Sequence, residues 1–115
     1  MKQADFIIIG AGSAGCVLAN RLTADGKTTA ILIEAGGEDR HPYIHLPVGY
    51  VKTMVNPAVN WMFKSEPEAG THNRAIDMPR GKVLGGSSSI NGMIYVRCQS
   101  HDYDSWAQSG NKGWS

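Results

Sequence analysis

Residues 10–15 carry three glycines spaced as Gly-x-Gly-x-x-Gly, the pattern with the clearest chemical meaning in this sequence. The pattern directly follows the apolar run 6–9 and opens a stretch with helical spacing. Glu34 stands about 20 residues beyond the last glycine, at the end of a second apolar run, 30–33. A strand, a glycine turn, a helix, a second strand and an acid in this order are typical of a site that binds the diphosphate and ribose of a dinucleotide.

Each position of the pattern has a physical role in such a site. Gly10 permits the backbone angles of a sharp strand-to-helix turn, Gly12 lets a diphosphate approach the main chain, and Gly15 lets the helix pack closely on the strands. The helix N-terminus offers unpaired N–H groups and a partial positive charge to the phosphates. Glu34 can accept hydrogen bonds from ribose hydroxyls, and its charge disfavours a 2′-phosphate. We therefore expect FAD or NAD rather than NADP.

The elements that must position these residues follow from the hydrophobic spacing. The run 5–9 predicts a buried strand, and the segment 28–33 predicts a second strand, parallel to the first through a right-handed crossover. Between them we expect a helix over 13–24, followed by a left-handed cap at Gly26. The apolar face of that helix consists of Ala14, Val17, Leu18 and Leu22.

The bulk composition excludes several classes of protein. The chain has 115 residues, a formal net charge of +1 and 42% hydrophobic residues, which is ordinary for one small globular domain. Its 11 basic and 10 acidic side chains give no electrostatic case for binding nucleic acid or an anionic membrane. Cys16 and Cys98 form no metal motif, and no apolar run has the length of a signal peptide or a transmembrane helix. We therefore expect a cytoplasmic protein without a metal site.

The periodicity weakens after the second predicted strand. Residues 38–59 contain three prolines and predict a long loop, with a turn or two of helix within 46–54. Alternation over 60–65 predicts a short strand. Further along, the segment 93–97 is consistent with a strand or an extended segment, and 101–108 predicts a short helix with an acidic residue in its first turn.

A second glycine-rich segment occupies residues 80–92. It lacks the Gly-Lys-Ser/Thr ending of a P-loop, so an ATPase of that class is excluded. Gly85 and Gly86 let the backbone pass close to a flat or charged group. Residues 87–89 supply hydroxyl and N–H groups, and Asn91 offers a donor and an acceptor, which suits a cofactor with phosphates and a ring with polar edges. The alternative is a serine-capped helix after a tight turn, with no ligand.

These two segments resemble the glucose–methanol–choline (GMC) oxidoreductases. The first match covers 5–34, and the second covers 81–91, which is similar to the first signature of that family. Residues 34–37 and 60–61 resemble its choline and aliphatic alcohol dehydrogenase branch. The resemblance implies an α/β fold, with residues 1–115 forming the N-terminal part of a Rossmann-like FAD-binding domain. A substrate-binding domain and a C-terminal catalytic region would then be absent from this sequence.

The resemblance also implies which residues contact FAD. The pyrophosphate would lie against Gly10, Gly12, Ser13, Ala14 and Gly15. The adenosine ribose would bind Glu34, with Ala35 nearby. The flavin or adenine region would be lined by Arg80 and Val83. Six further residues would lie along the pyrophosphate, the ribityl chain and the isoalloxazine: Gly85, Gly86, Ser87, Asn91, Gly92 and Met93.

Other side chains give weaker expectations. Some members of this family attach FAD covalently through a histidine just before the motif asparagine; Ile90 stands there and cannot form that bond, so non-covalent FAD is expected. The family's catalytic base is a histidine near the C-terminus of a much longer chain, so no catalytic residue is expected here. Trp61 is expected to belong to the core rather than to stack on flavin. Solvated or loop-packing roles are expected for His41, His45, His72 and His101.

For the whole protein, the resemblance implies oxidation of a small alcohol, such as choline or an aliphatic alcohol, by hydride transfer to flavin. It leaves the electron acceptor open, and we expect the 115 residues alone to be inactive. The alternative from another functional class is a truncated, non-catalytic nucleotide-binding module. A third hypothesis, an NAD-dependent dehydrogenase, is disfavoured by the segment 80–92.

Overall fold

Two parallel strands and one helix begin the fold in the computed structural model, which describes residues 3–114. Strand β1 pairs with β2 in register, with Phe6 opposite Ala30 and Ile9 opposite Ile33. The α/β beginning that the spacing predicts is confirmed, although each element is shorter than predicted. The elements are β1 (Phe6–Ile9), α1 (Ser13–Leu22) and β2 (Ala30–Ile33).

Side-chain hydrogen bonds explain the shorter strands. The N–H of Thr29 donates to the Asp5 carboxylate (2.8 Å), and the Thr29 hydroxyl donates to the same oxygen (2.8 Å). These bonds fix the register at the start of both strands, and they hold the pKa of Asp5 below its usual value. The Asp5 contribution to stability is therefore present above the unfolded-state pKa and is lost as the pH falls through the lower folded-state pKa.

Helix α1 ends two residues earlier than predicted. The Thr23 hydroxyl donates to the Ala19 carbonyl (2.8 Å), and the N–H of Gly26 donates to the Thr23 carbonyl (3.1 Å). Gly26 has φ +67°, so its predicted left-handed conformation is confirmed, but it lies in the turn after the helix, whose C-cap is Thr23. Gly15 of α1 is buried against β1, and Ala19 and Leu22, one and two turns later, are half-buried.

The expectation of a buried first strand is wrong for the residues described. Ile8 is 7% exposed, but Ile7 and Ile9 are 65% and 86% exposed. Helix α1 packs on one face of this two-stranded sheet, and nothing within 3–114 covers the side chains on the other face. Val17 and Leu18, on the predicted apolar face of α1, are also exposed.

Short helices replace regular structure in the long loop 38–59. One-turn 3₁₀ helices occupy Pro42–Ile44 and Pro47–Gly49, and α2 spans Tyr50–Thr53. The predicted turn or two of helix within 46–54 is confirmed. No helix among the described residues is long and apolar enough to cross a membrane.

The rest of the chain forms a small antiparallel pair and a third helix. Strand β3 (Phe63–Lys64) pairs with β4 (Asp77–Met78), so the strand predicted over 60–65 is reduced to two strand residues and an isolated antiparallel bridge between Asn60 and Gly81. The segment 93–97 is not a strand, because its backbone has no pairing partner in the described chain. Helix α3 (Ser100–Gln108) matches its prediction, and the Asp102 carboxylate accepts the N–H of Gln99 at its start (2.9 Å).

A small core lies beneath the second glycine-rich segment. Val59, Val83 and Ile90 are each at most 5% exposed and cluster together, with Ile44 packed against them. This cluster joins the long loop to the segment 80–92.

Candidate functional site: a cleft between two glycine-rich segments

The carboxyl ends of β1 and β2 meet at the first glycine turn. The N–H of Gly10 donates to the Ile33 carbonyl (2.7 Å), which closes the end of the parallel pair. Gly10 has φ +91°, a conformation that side chains with a Cβ rarely adopt. The chain therefore turns into α1 beside the last residue of β2, at the edge where open α/β sheets bind ligands.

The other two glycines of the pattern differ in their surroundings. A Cβ on Gly15 would lie 1.9 Å from the Gly10 carbonyl oxygen, so α1 packs on the turn only because this position has no side chain. A Cβ on Gly12 would meet no atom within 4 Å. Nothing in the described chain therefore fills the space beside Gly12 at the N-terminus of α1, where a diphosphate fits.

Glu34 braces the first glycine turn. Its two carboxylate oxygens accept separate backbone hydrogen bonds, from the N–H of Ala11 (2.7 Å) and of Gly36 (2.9 Å). Its side chain is half-buried. Each carboxylate oxygen can accept a second hydrogen bond, so both retain capacity for a ribose hydroxyl.

The second glycine-rich segment touches the first directly. The N–H of Gly85 donates to the Ala11 carbonyl (2.7 Å). Gly86 has φ +59°, and a Cβ there would lie 2.9 Å from the Cα of Gly12. The N–H of Leu84 also donates to the Gly37 carbonyl (2.9 Å), just after β2. The two segments are thus adjacent, as binding of one cofactor by both segments requires.

Between these segments lies a cavity of about 520 Å³, which we call the central cleft. It joins the first glycine turn, the end of β2, strand β3 and the start of the second glycine-rich segment. Seven of the residues predicted to contact the cofactor line it. Its lining consists of Ile9, Gly10, Gly12, Ile33, Glu34, Ala35, Trp61, Phe63, Arg80, Gly81, Gly86 and Ser87.

The remaining predicted residues lie elsewhere. Ser13, Ala14 and Gly15 form the first turn of α1, and Gly85 precedes Gly86 in the contact with the first turn. The side chain of Val83 is enclosed in the core (1% exposed), so only its backbone can reach a ligand. A neighbouring cavity of about 290 Å³ shares Arg80 and Ser87 with the central cleft and adds Asn91 and Gly92. Asn91 and Met93 line a third, smaller cavity beyond it.

The three serines of the second segment have different roles. The Ser88 hydroxyl donates to the Gly85 carbonyl (2.6 Å), and the Ser89 hydroxyl donates to the Leu84 carbonyl (2.8 Å). Both therefore stabilise the turn itself, a one-turn 3₁₀ helix over Gly86–Ser89. Ser87, whose Oγ accepts the N–H of Gly81 (3.1 Å), is the one that lines the central cleft.

Trp61 at the central cleft, and Asn60 beside it in the chain, were not identified as site residues from the sequence. Trp61, expected in the core, is 43% exposed and lines the central cleft. Its neighbour Asn60 is 2% exposed; its amide oxygen accepts the N–H of Met62 and of Arg80 (both 3.0 Å). The amide nitrogen of Asn60 donates to the Met54 carbonyl (2.6 Å). An Asn-Trp pair after a proline-rich loop was the only sequence signal for this arrangement.

Replacing Asn60 with alanine is expected to lower the free energy of unfolding by about 3 kcal/mol, because its buried side chain makes three part-buried hydrogen bonds to the main chain that would all be lost. Chemical denaturation with urea measures the change. The matched control is Asn20→Ala on the exposed side of α1, which should change stability by less than about 0.5 kcal/mol. Equal effects of the two substitutions would contradict the role given to Asn60.

Given the predicted contact of Glu34 with the adenosine ribose, replacing Glu34 with alanine is expected to weaken FAD binding by roughly 1–3 kcal/mol, the scale of a lost charge-assisted hydrogen bond. The substitution also frees the N–H groups of Ala11 and Gly36. Glu34→Gln separates the two effects, since its amide oxygen can still accept one of those bonds. Isothermal titration of the nucleotide-free protein with FAD gives the affinities, and an unchanged affinity in Glu34→Ala would refute the ribose contact.

Metal-ligating side chains do not cluster within residues 3–114. None of the histidines lines the central cleft. The described histidine, cysteine, aspartate and glutamate side chains form no group of three or more that could hold a metal ion. The chemistry of this site therefore rests on backbone N–H groups, one carboxylate, a serine hydroxyl and an arginine.

Comparison with known proteins agrees with this architecture. Residues 4–115 match the family model of the GMC oxidoreductases. The chain is 53% identical over 111 residues to an oxygen-dependent choline dehydrogenase of Photobacterium profundum, covering 96% of this chain and 20% of that protein. A similar relative from Rhizobium etli is 52% identical over 113 residues, 98% of this chain and 21% of that protein.

Solved structures give the same result at the level of the fold. Pyridoxine 4-oxidase from Mesorbium loti superposes with a TM-score of 0.79 at 37% identity, covering 98% of this chain and 22% of that one. An FAD-dependent oxidoreductase from Chaetomium thermophilum superposes with a TM-score of 0.67 at 39% identity, covering 98% and 19%. The chain thus spans about a fifth of the length of these relatives. With its two glycine-rich segments joined at one cleft and a family match over nearly its whole length, the chain belongs to the GMC oxidoreductase family.

Proposed function

We propose that this chain is the N-terminal part of the FAD-binding domain of a flavin-dependent alcohol oxidoreductase. The observation that carries the proposal is the direct contact between the two glycine-rich segments, through Gly85 and Ala11 and through Gly86 and Gly12. A single extended ligand can therefore touch both. The relative from Chaetomium thermophilum is named FAD-dependent, which supports FAD as that ligand.

The residues present fit FAD. The open space beside Gly12 would take the diphosphate at the N-terminus of α1, and Glu34 would bind the adenosine ribose. From the central cleft, Arg80 and Ser87 lead to the neighbouring cavity with Asn91 and Gly92. That series of cavities suits a dinucleotide longer than its adenosine half, with the flavin end toward residues 91–93.

When bound, the flavin supplies the acceptor for a hydride from the alcohol carbon. The residues of this chain bind and orient that group. Backbone N–H groups of the segment 85–93 would stabilise negative charge on the reduced ring, which is an electrostatic contribution rather than proton transfer. The base that takes the hydroxyl proton would come from a part of the protein outside these 115 residues.

The substrate of the whole protein is proposed to be a small alcohol, with choline the first candidate. The support is the 53% identity over 111 residues to a protein named as an oxygen-dependent choline dehydrogenase. Steady-state oxidation of choline and of short aliphatic alcohols by the full polypeptide that the reading frame encodes tests this. Flavin retention without alcohol oxidation would favour the non-catalytic nucleotide-binding module.

FAD is proposed to be bound without a covalent link. The side chain before the motif asparagine is Ile90, which has no nucleophilic atom and is 2% exposed in the core with Val59 and Val83. Denaturing the purified yellow protein with acid should release all of its flavin into the supernatant, identified as FAD by chromatography. Flavin that stays with the precipitate would contradict the proposal, and bound NAD without flavin would contradict the choice of cofactor.

A further inference from the structure

We propose that Trp61 and Phe63 form the wall of the central cleft on which the adenine ring of the cofactor stacks. This inference rests on the proposed function, because it assumes that an adenine dinucleotide occupies the cleft. The two rings are parallel, with centroids 5.8 Å apart and planes 5° apart. They are 43% and 51% exposed, and both line the central cleft together with Glu34.

The main chain that carries the indole ring and its cationic neighbour is anchored. The backbone N–H of Trp61 donates to the Arg80 carbonyl (2.9 Å), and the backbone N–H of Lys82 donates to the Val59 carbonyl (2.8 Å). The Lys82 ammonium lies 4.8 Å from the indole centroid. An indole on an anchored main chain has only two side-chain torsions to order on binding, so a base that stacks on it loses little of its stacking free energy to conformational entropy.

The position of Glu34 identifies which ring of the cofactor lies there. Glu34 follows β2 and faces the same cleft as Trp61 and Phe63, and the ribose that it would bind carries adenine. The flavin end belongs with Asn91 and Met93, which line other cavities. An apolar aromatic surface next to the ribose site is therefore matched to a purine face, for which stacking is tolerant of exact orientation.

The test measures ADP binding to the full polypeptide after its nucleotide has been removed, by calorimetry and by tryptophan fluorescence. Trp61→Leu is expected to raise the dissociation constant for ADP about tenfold, as expected for the loss of one base–aromatic stack. Trp61→Phe keeps a ring and should change it by less than about threefold. ADP should also quench the fluorescence of the wild-type protein, and this quenching should vanish in Trp61→Phe.

The matched control is Trp106→Leu in α3, where Trp106 packs against Tyr103 and Trp114 and does not line the central cleft. It should leave both ADP affinity and quenching unchanged. Riboflavin or FMN binding should be unaffected by Trp61→Leu, and a loss confined to those ligands would overturn the adenine assignment. If Trp61→Leu does not fold, the quenching difference between wild type and Trp61→Phe still decides.

Failure of this inference is distinguishable from failure of the proposed function. A wild-type protein that retains FAD, with ADP affinity equal in wild type and Trp61→Leu, overturns only the stacking wall. A wild-type protein that binds ADP without any quenching of its fluorescence also overturns the stacking wall and leaves the proposed function standing. A wild-type protein that binds neither FAD nor ADP overturns both.

Discussion

Replacing Gly12 with valine is expected to abolish FAD retention, with a rise of at least about 100-fold in the dissociation constant. Gly12 has ordinary extended angles (φ −76°, ψ −171°), and a Cβ added there meets no atom of residues 3–114 within 4 Å. The new side chain would project into the space that the diphosphate is proposed to occupy. The ratio of flavin to protein absorbance after gentle purification measures the loss.

The matched control for this substitution is Gly70→Val. Gly70 lies in the exposed one-turn helix Ala69–Thr71, where an added Cβ also meets nothing within 4 Å. It should leave the flavin content unchanged. Circular dichroism and urea unfolding show whether the Gly12→Val protein is folded. If it is folded and still carries a full complement of FAD, the diphosphate does not bind at this turn.

Replacing Gly15 with alanine is expected to lower the free energy of unfolding by about 3 kcal/mol, because the added methyl group would overpack the contact between α1 and the first turn. The Cβ would lie 1.9 Å from the Gly10 carbonyl oxygen and 3.4 Å from Cγ2 of Ile8, so the helix must move away from β1. This change in stability has the opposite sign to the one expected at a solvent-exposed helix position, where alanine stabilises by about 1 kcal/mol relative to glycine. Urea unfolding of the two proteins measures the difference.

Gly37→Ala serves as the control for the Gly15 substitution. Gly37 does not have a positive φ, and a Cβ there meets nothing within 4 Å. Its stability should stay within about 0.5 kcal/mol of the wild type or rise slightly. A Gly15→Ala protein as stable as this control would mean that α1 does not pack on the turn as described.

The exposed faces of β1 and α1 show where the expectations from spacing went wrong. Ile7, Ile9 and Leu18 have the pattern of buried positions, and they are exposed within residues 3–114. Apolar periodicity reports that a face is to be covered, but it does not say which segment covers it. The same limit applies to Val83, whose small apolar side chain serves the core and not the cleft.

The sequence alone determined the parts of this protein that depend on neighbouring residues. The strand–turn–helix start, the need for glycine at positions 10 and 15, and the acid after β2 follow from backbone geometry over a few residues. The tertiary structure alone decided the contact between Gly12 and Gly86, the placement of Trp61 on the cleft and the role of Asn60 as a buried link. These features join segments that are 20 or more residues apart along the chain or depend on how such segments pack, and local spacing carries no information on that packing.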